Sequence, residues 1–207
     1  MKFGTMRIAG ALLVLGASFA IAAGPVLAAR GTFIANTTPV PHTRSGSGLN
    51  VTGTATLELQ SKKLTAHITA SGLSPNLPHL IHIHGVIGAQ NDCPNSSADA
   101  NGDGFIDTAD GLPDYGPILV TFSTTGDTSA AAGFNLEVAV EADGSGHIDY
   151  TRTFTIPKDV AKDIGNLHVV IHGADLNESG KYDGKKSSLG MGIRLEAELP
   201  VSCGTIN

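Results

Sequence analysis

The sequence lacks several features that would place it in common functional classes. Between Leu64 and Thr151 it contains no lysine or arginine, although that stretch carries eleven acidic residues. Such a distribution repels polyanions and suits cations, so we predict metal ions rather than nucleic acid as partners. No nucleophile triad, phosphate-binding loop or pair of catalytic carboxylates can be recognised from residue spacing, which ranks hydrolases low. The chain also shows no internal repeat.

Long apolar runs are absent beyond the N-terminus. There, Lys2 and Arg7 precede an apolar run from Ile8 to Ala23, and the small residues at 26–28 suit signal-peptidase cleavage. We therefore predict a secretory signal over residues 1–28 and one domain over residues 29–207. Residues 29–48 are either a flexible N-terminal segment or a strand over residues 31–41 followed by a flexible connector over residues 44–48. The alternative is an uncleaved membrane anchor.

Cleavage would leave an acidic protein without a membrane-spanning stretch. It removes two positive charges and no negative ones, so the formal net charge moves from −6 to −8. We predict a secreted, periplasmic or cell-envelope protein with no stable membrane insertion. The sequence gives no indication of oligomeric state.

Cysteine is scarce, because Cys93 and Cys203 are the only two in the chain. In an exported protein an even pair is most simply one disulfide, here joining the loop after the residue 77–85 strand to the last strand. Two free thiols are the alternative.

The apolar pattern predicts short strands. One face of the clearest strand is apolar and the other is mostly threonine; the apolar positions are Val51, Gly53, Ala55, Leu57 and Leu59. Eight or nine such strands, separated by regular turn signals, predict an all-β antiparallel sandwich or flattened barrel. The prediction includes a hairpin of residues 136–140 with 147–156, a short helix over 157–164 and a final strand over 191–201.

Two strands carry histidines at spacings that suit a metal site. His82 and His84 alternate with isoleucines, so both imidazoles leave the same face of their strand. If the strand over residues 167–172 lies nearby, His172 completes a surface cluster of three imidazoles suited to copper or zinc. His168 lies too far along that strand to reach the same ion, and His79 is expected to be capping or buried. The alternative is that all of these are surface histidines on ordinary strands.

Residues 99–110 fit a twelve-residue calcium loop. The predicted ligands are the side chains of Asp99, Asn101 and Asp103, the carbonyl of Phe105, Asp107 through water, and Asp110 at position twelve. Asp110 replaces the usual glutamate, and nearby prolines argue against the long flanking helices of an EF-hand. The alternative is a polar turn that binds no ion.

Residues 175–183 repeat the first nine positions of this loop. The candidate ligands of this second loop are Asp175, Asn177, Ser179 and Asp183. Position twelve is Lys186, which cannot bind a cation, so this loop is either a partial ion site or a simple Asn/Gly-rich turn. Asp175 could instead hydrogen-bond an imidazole of the histidine cluster, because it follows His172 by three residues.

Taken in order, these landmarks resemble the copper-zinc superoxide dismutase family. The resemblance rests on His82 and His84, Cys93 nine residues after the second histidine, a later Val-Val-Ile-His172 strand, and Cys203-Gly204. It implies a Greek-key sandwich in which His82, His84 and His172 are copper ligands. The segments also resemble chordin-type (CHRD) domains, which have no established enzymatic chemistry.

The chain departs from the dismutase pattern in two ways. It has no histidine between Gly85 and Gly146, where dismutases carry a bridging histidine and zinc ligands, so zinc is not expected at the family's usual site. Pro200 stands where the family has an arginine that attracts superoxide. We therefore predict a metal-binding protein, with copper at the histidines and calcium in place of the zinc loop, that lacks normal dismutase activity. The alternative is a divergent copper superoxide dismutase that converts superoxide to hydrogen peroxide and oxygen.

Overall fold

The computed structural model describes residue 1, residues 30–190 and residues 192–207. The predicted signal segment, apart from its first residue, lies outside the described residues. The strands are β1 (Arg30–Pro39), β2 (Thr52–Gln60), β3 (Lys63–Ser71), β4 (Pro78–His79), β5 (Ile81–His84), β6 (Ile118–Thr121), β7 (Val140–Glu141), β8 (His147–Thr155), β9 (His168–His172) and β10 (Pro200–Thr205). The α-helices are α1 (Thr108–Tyr115), α2 (Lys158–Asp163) and α3 (Leu195–Glu198), and single 3₁₀ turns lie at Ser96–Ala98, Ala130–Ala132, Leu136–Val138 and Ile164–Asn166.

The all-β antiparallel prediction is confirmed. Eight strands form one curled sheet in the order β6-β5-β9-β10-β1-β2-β3-β8, and β4 pairs with β7 in a separate ribbon. The two halves of the large sheet meet where the end of β1 pairs with β10, at Thr38 opposite Cys203. Among the described residues, no helix is long and apolar enough to cross a membrane.

The core lies between the two halves of the curled sheet. Leu57 and Ile68 from one half share a hydrophobic cluster with Ile83, Val169 and Val201 from the other half, and all five are essentially buried. The predicted alternation along β2 is therefore correct, because its apolar face points into this cluster. Burying each large aliphatic side chain stabilises the fold by about 1.5 to 3 kcal/mol.

Residues 30–39 form a strand paired with β2 from Arg30 opposite Gln60 onwards, in agreement with the strand predicted over residues 31–41. Two other local predictions are wrong. The hairpin of residues 136–140 with 147–156 does not form, because β7 pairs with β4 while β8 pairs with β3 along its whole length. Apolar periodicity identifies a strand but not its partner. The predicted final strand is replaced by α3 followed by β10.

The predicted short helix and the predicted disulfide are both present. Helix α2 follows Pro157, which lies at the N-cap rather than the first helical position. Cys93 and Cys203 are bonded, with their Cα atoms 5.8 Å apart. The bond joins the long excursion of residues 88–116 to β10, and it indicates an oxidising environment.

Candidate metal centre

The three predicted histidines come together at the junction of two adjacent strands. Strands β5 and β9 pair in antiparallel register, with Ile81 opposite Ile171. One nitrogen from each of His82, His84 and His172 lies within 4.8 Å of the other two. The ring centroids are 5.0 to 5.5 Å apart. His168 does not belong to this group, as predicted.

The cluster is buried, so the prediction of a surface site is wrong. His82, His84 and His172 have exposed fractions of 0%, 1% and 2%. Side chains on this face of the strands do leave the sheet, but neighbouring segments cover them. Tyr115 packs edge-on against the His84 ring with centroids 4.6 Å apart, and the 3₁₀ turn Ala130–Ala132 leads into a contact with His82.

Backbone carbonyls fix the tautomer of each ring. His82 donates from Nε2 to the carbonyl of Gly133 at 2.9 Å, and His84 donates from Nδ1 to that of Gly116 at 2.8 Å. His172 donates from Nδ1 to the carbonyl of Glu198 at 2.7 Å. A carbonyl oxygen can only accept, so each of these nitrogens carries the ring hydrogen.

The three remaining nitrogens are therefore lone-pair acceptors. They are Nδ1 of His82 and Nε2 of His84 and His172, and all three are buried without a hydrogen-bond partner among the described residues. Buried polar atoms are normally satisfied, because leaving one unpaired costs about 1 to 3 kcal/mol. Three unpaired acceptors within 4.8 Å of one another could together hold a cation.

Burial also keeps the rings neutral. Desolvation, reinforced by the neighbouring His172, lowers the pKa of His84 from 6.5 to about 3. Desolvation lowers the pKa of His172 to about 4 and that of His82 well below 6.5, with the other two rings adding to the effect on His82. Neutral imidazole is the form that binds transition metals, and three such groups suit copper or zinc.

Glu198 is a residue of the site that the sequence analysis missed. Its carbonyl accepts from both His172 and the hydroxyl of Thr108, and its carboxylate Oε2 accepts the backbone N–H of Thr108 at 3.0 Å. The side chain is fully buried, and its Oε1 has no hydrogen-bond partner among the described residues. Desolvation raises the pKa of this carboxyl. Because the surrounding pattern indicated an ordinary strand, the sequence offered no signal for this role.

His79 is buried, in agreement with the prediction. Its Nε2 lies 3.0 Å from the carbonyl of Ser74, and its Nδ1 lies 3.1 Å from the carbonyl of His172 and 3.4 Å from the hydroxyl of Tyr182. His79 therefore packs behind a metal-ligand candidate rather than joining the group.

The predicted calcium loop folds around its own backbone. Asp99 accepts from the N–H groups of Gly102, Asp103 and Gly104. Asp110 accepts from Ala100 and Asp107, the second and ninth positions of the loop. Within the described part of the chain, no three carboxylates of this loop come as close together as the histidine nitrogens do.

The remaining loop side chains have structural contacts. Asn101 accepts from the N–H of Asp103, and Asp103 pairs with Lys185 at 2.5 Å. Phe105 stacks beneath Arg44, whose guanidinium carbon lies 5.3 Å from the ring centroid. Asp107 caps the eight-residue helix α1, which contains Pro113, so this loop has no long exit helix.

The second loop repeats the hydrogen-bond pattern of the first, and it includes a contact from Glu196 that was not predicted from the sequence. Asp175 accepts from the N–H groups of Ser179 and Gly180, the same two positions that Asp99 contacts in the first loop. Glu196 of α3 accepts from Leu176 and Asp183, the second and ninth positions, as Asp110 does in the first loop.

Glu196 thus takes the place that local spacing gave to Lys186. Local spacing could not identify it, because it approaches from α3 rather than from within the loop. Asn177 and Ser179 both hydrogen-bond to Asp183, which completes the turn. The alternative role for Asp175, a hydrogen bond to an imidazole of the cluster, is wrong because its carboxylate holds the second loop.

Comparison with known proteins adds no family assignment. No family model matches the chain, and a search of curated protein sequences finds no match.

Proposed function

We propose that this protein is an exported metal-binding β-protein whose three buried imidazoles hold one copper ion without dismutase turnover. The observation that carries the proposal is the set of three unpaired lone pairs. The ring hydrogens of His82, His84 and His172 are committed to carbonyls, so the rings cannot satisfy one another. A cation at their meeting point would satisfy all three at once.

Copper is favoured over other divalent metals by the nature of the ligands. All three are neutral nitrogen donors, and among the divalent first-row metals Cu²⁺ binds such sites most tightly. Zinc is the competing ion, because three histidines also form zinc sites. The dismutase resemblance assigns copper to His82, His84 and His172, which adds to this choice.

The enclosed geometry favours a metal holder over an enzyme. Catalytic metal sites keep an open position for water or substrate, whereas these nitrogens are buried. Among the described residues, no fourth histidine joins the group, so a bound ion would keep one coordination position free, and it is the burial of the site that argues against access by a substrate. Pro200 replaces the arginine that would draw in superoxide, and the surrounding chain is acidic. A divergent copper superoxide dismutase remains the second candidate, supported by the order of the sequence landmarks.

Metal analysis tests the copper proposal. The secreted protein is loaded with copper, dialysed, and compared with His84→Ala and with His67→Ala. His67 is an exposed histidine on β3 that contacts Asp149, so it serves as the control. We expect one copper per chain in the unmodified protein and in the control, and none in His84→Ala. Loss in neither variant, or copper absent from all three, would refute the site.

A superoxide-decay assay on the copper-loaded protein separates the two candidates. A holder should leave the decay rate at the level of a protein-free sample. A rate that rises with copper occupancy and is lost in His84→Ala would instead support the dismutase.

Calcium is the proposed ligand of the two acidic loops. The support is their shared pattern, in which the first residue accepts from positions five and six and a carboxylate accepts from positions two and nine. Glycines with positive φ stand at position six of both loops, Gly104 at +91° and Gly180 at +77°. The twelve-residue calcium loop requires glycine there for its sharp turn.

Thermal unfolding with and without calcium tests this part. For weak extracellular-type binding with a Kd of about 1 mM, 10 mM calcium should stabilise each occupied loop by about 1.4 kcal/mol. Asp99→Asn and Asp175→Asn should each remove the calcium-dependent stabilisation contributed by one loop. Asp149→Asn, a change at an exposed position on β8, should leave the full calcium response. An equal calcium response in all four proteins would contradict the loop assignment.

A further inference from the structure

Helix α1 spans the distance between two of the three histidines. The carbonyl of its C-cap residue, Gly116, accepts a hydrogen bond from His84. Its first residue, Thr108, hydrogen-bonds to Glu198, whose carbonyl accepts from His172. We propose that Glu198 is a positioning residue of the histidine centre, and that it attaches His172 to the first turn of α1. The inference rests on the proposed metal-binding function of the three histidines.

The C-terminal attachment of α1 is tight. Gly116 has a φ of +76°, and a Cβ added to it would lie 2.6 Å from the carbonyl carbon of Gly85, the residue after His84. Gly85 in turn donates its N–H to the carbonyl of Pro117 at 3.1 Å. The end of α1 therefore has little freedom to move relative to His84.

The N-terminal attachment depends on the Glu198 side chain. Thr108 donates twice to Glu198, from its N–H to Oε2 at 3.0 Å and from its hydroxyl to the carbonyl at 2.7 Å. That same carbonyl accepts from His172. Fixing Thr108 to the carboxylate thus fixes the orientation of the carbonyl that sets the tautomer of His172.

The state of Glu198 supports a specific role. Glutamate is seldom fully buried unless it is paired, yet this side chain has 0% exposure and one oxygen without a hydrogen-bond partner among the described residues. The residue does not enter an ion pair within the described chain. The Ser187 side chain also approaches the carboxylate, while the hydrogen bonds of Glu198 to Thr108 and His172 lead to α1 and to the histidine centre. Those two connections are what a group that orients a metal ligand would require.

Four variants test the inference. Glu198→Ala removes the carboxylate, Glu198→Gln keeps an oxygen that can accept from Thr108, and Thr108→Val removes the hydroxyl donor with little change of shape. Ile68→Val is the control, because it alters a buried core residue on β3 away from the histidines. Comparing variants at matched thermal stability separates positioning from general loss of structure.

Two readouts are measured on each protein. The first is copper affinity, by competition with a chelator, together with the electron paramagnetic resonance spectrum of the copper form. The second is the histidine tautomer of the metal-free protein, by nitrogen-15 nuclear magnetic resonance. We expect Glu198→Ala to bind copper about 10- to 100-fold more weakly, with a changed spectrum, because outer-shell partners of metal ligands typically have effects of this size.

The variants should rank by what they preserve. Glu198→Gln and Ile68→Val should keep the wild-type spectrum and the Nδ1–H tautomer of His172, whereas Glu198→Ala should show mixed tautomers and Thr108→Val an intermediate result. Unchanged affinity, spectrum and tautomer in Glu198→Ala would overturn the inference while leaving copper binding intact. If the wild-type protein binds no copper, the proposed function fails, and the tautomer comparison alone still decides the role of Glu198.

Discussion

Removing the disulfide should destabilise the fold by several kcal/mol and also weaken the copper binding proposed for the three histidines. The bond closes a loop with a sequence separation of 110 residues. In the chain-entropy relation, a loop of that length gives about 4.8 kcal/mol at 25 °C. A domain of ordinary stability has only about 5 to 15 kcal/mol in total, so the loss is a large fraction. Urea unfolding of the Cys93→Ala, Cys203→Ala double variant measures it against the oxidised protein.

The effect on metal binding follows from where the bond lies. Cys203 is opposite Val170 in the pairing of β10 with β9, the strand that ends at His172. Cys93 begins the part of the excursion that carries α1 and Gly116, which holds His84. The double variant should therefore also bind copper more weakly, measured below its unfolding transition. A stability loss under about 1 kcal/mol, or unchanged copper affinity in the folded variant, would refute the reasoning.

Two further predictions concern acid stability and the end of α1. When the metal-free protein is unfolded, its histidines take up protons below about pH 6.5. In the folded protein, His84 and His172 stay neutral until the pH approaches their pKa values of about 3 and 4. The free energy of unfolding should thus fall as pH drops from 6.5 towards 4, by about 1.4 kcal/mol per pH unit for each histidine, and His84→Gln should make the decline shallower in urea titrations. Gly116 has a φ of +76° and a ψ of −179°, a backbone conformation that is essentially restricted to glycine. Gly116→Ala should therefore cost more than the roughly 1 to 3 kcal/mol of backbone strain, and should weaken copper binding, because the added Cβ would also meet the backbone of Gly85. Gly126→Ala is the matched control in thermal unfolding and copper competition, since it has a similar φ of +67° but open space; equal losses would contradict the close-approach argument.

The strands could be predicted from the sequence because their side-chain period is local. Threonine alternates with apolar residues along β2, and the same pattern recurs in β3 and β8. The partner of each strand depends on long-range packing, which periodicity does not encode. For this reason the predicted pairing of residues 136–140 with 147–156 is absent, and β8 pairs with β3 instead. The turn before His147 is nevertheless present, with the N–H of Gly146 bonded to the carbonyl of Asp143.

The histidine centre was predictable in its members but not in its environment. The spacing of His82 and His84 on one strand face, with His172 on a second strand, was enough to group the rings. The burial of His84 depends on residues 88–116 folding back over β5, and that of His82 depends on the turn Ala130–Ala132; no local pattern specifies either path. The two glutamates of α3 were missed for the same reason, since Glu196 and Glu198 act on segments that are distant in sequence.

The contacts that orient the three imidazoles are the same contacts that close the site to solvent. This double role favours a metal-holding protein over an enzyme. Moving α1 away to admit a substrate would break the bond from His84 to Gly116 and remove Tyr115 from the ring. It would also pull on the link through Thr108 and Glu198 to His172. A catalyst needs its ligands held while the substrate enters, whereas here entry and ligand release would be one motion. Slow exchange of a tightly held ion is the behaviour that such coupling favours, which supports the proposal of a metal holder over a dismutase.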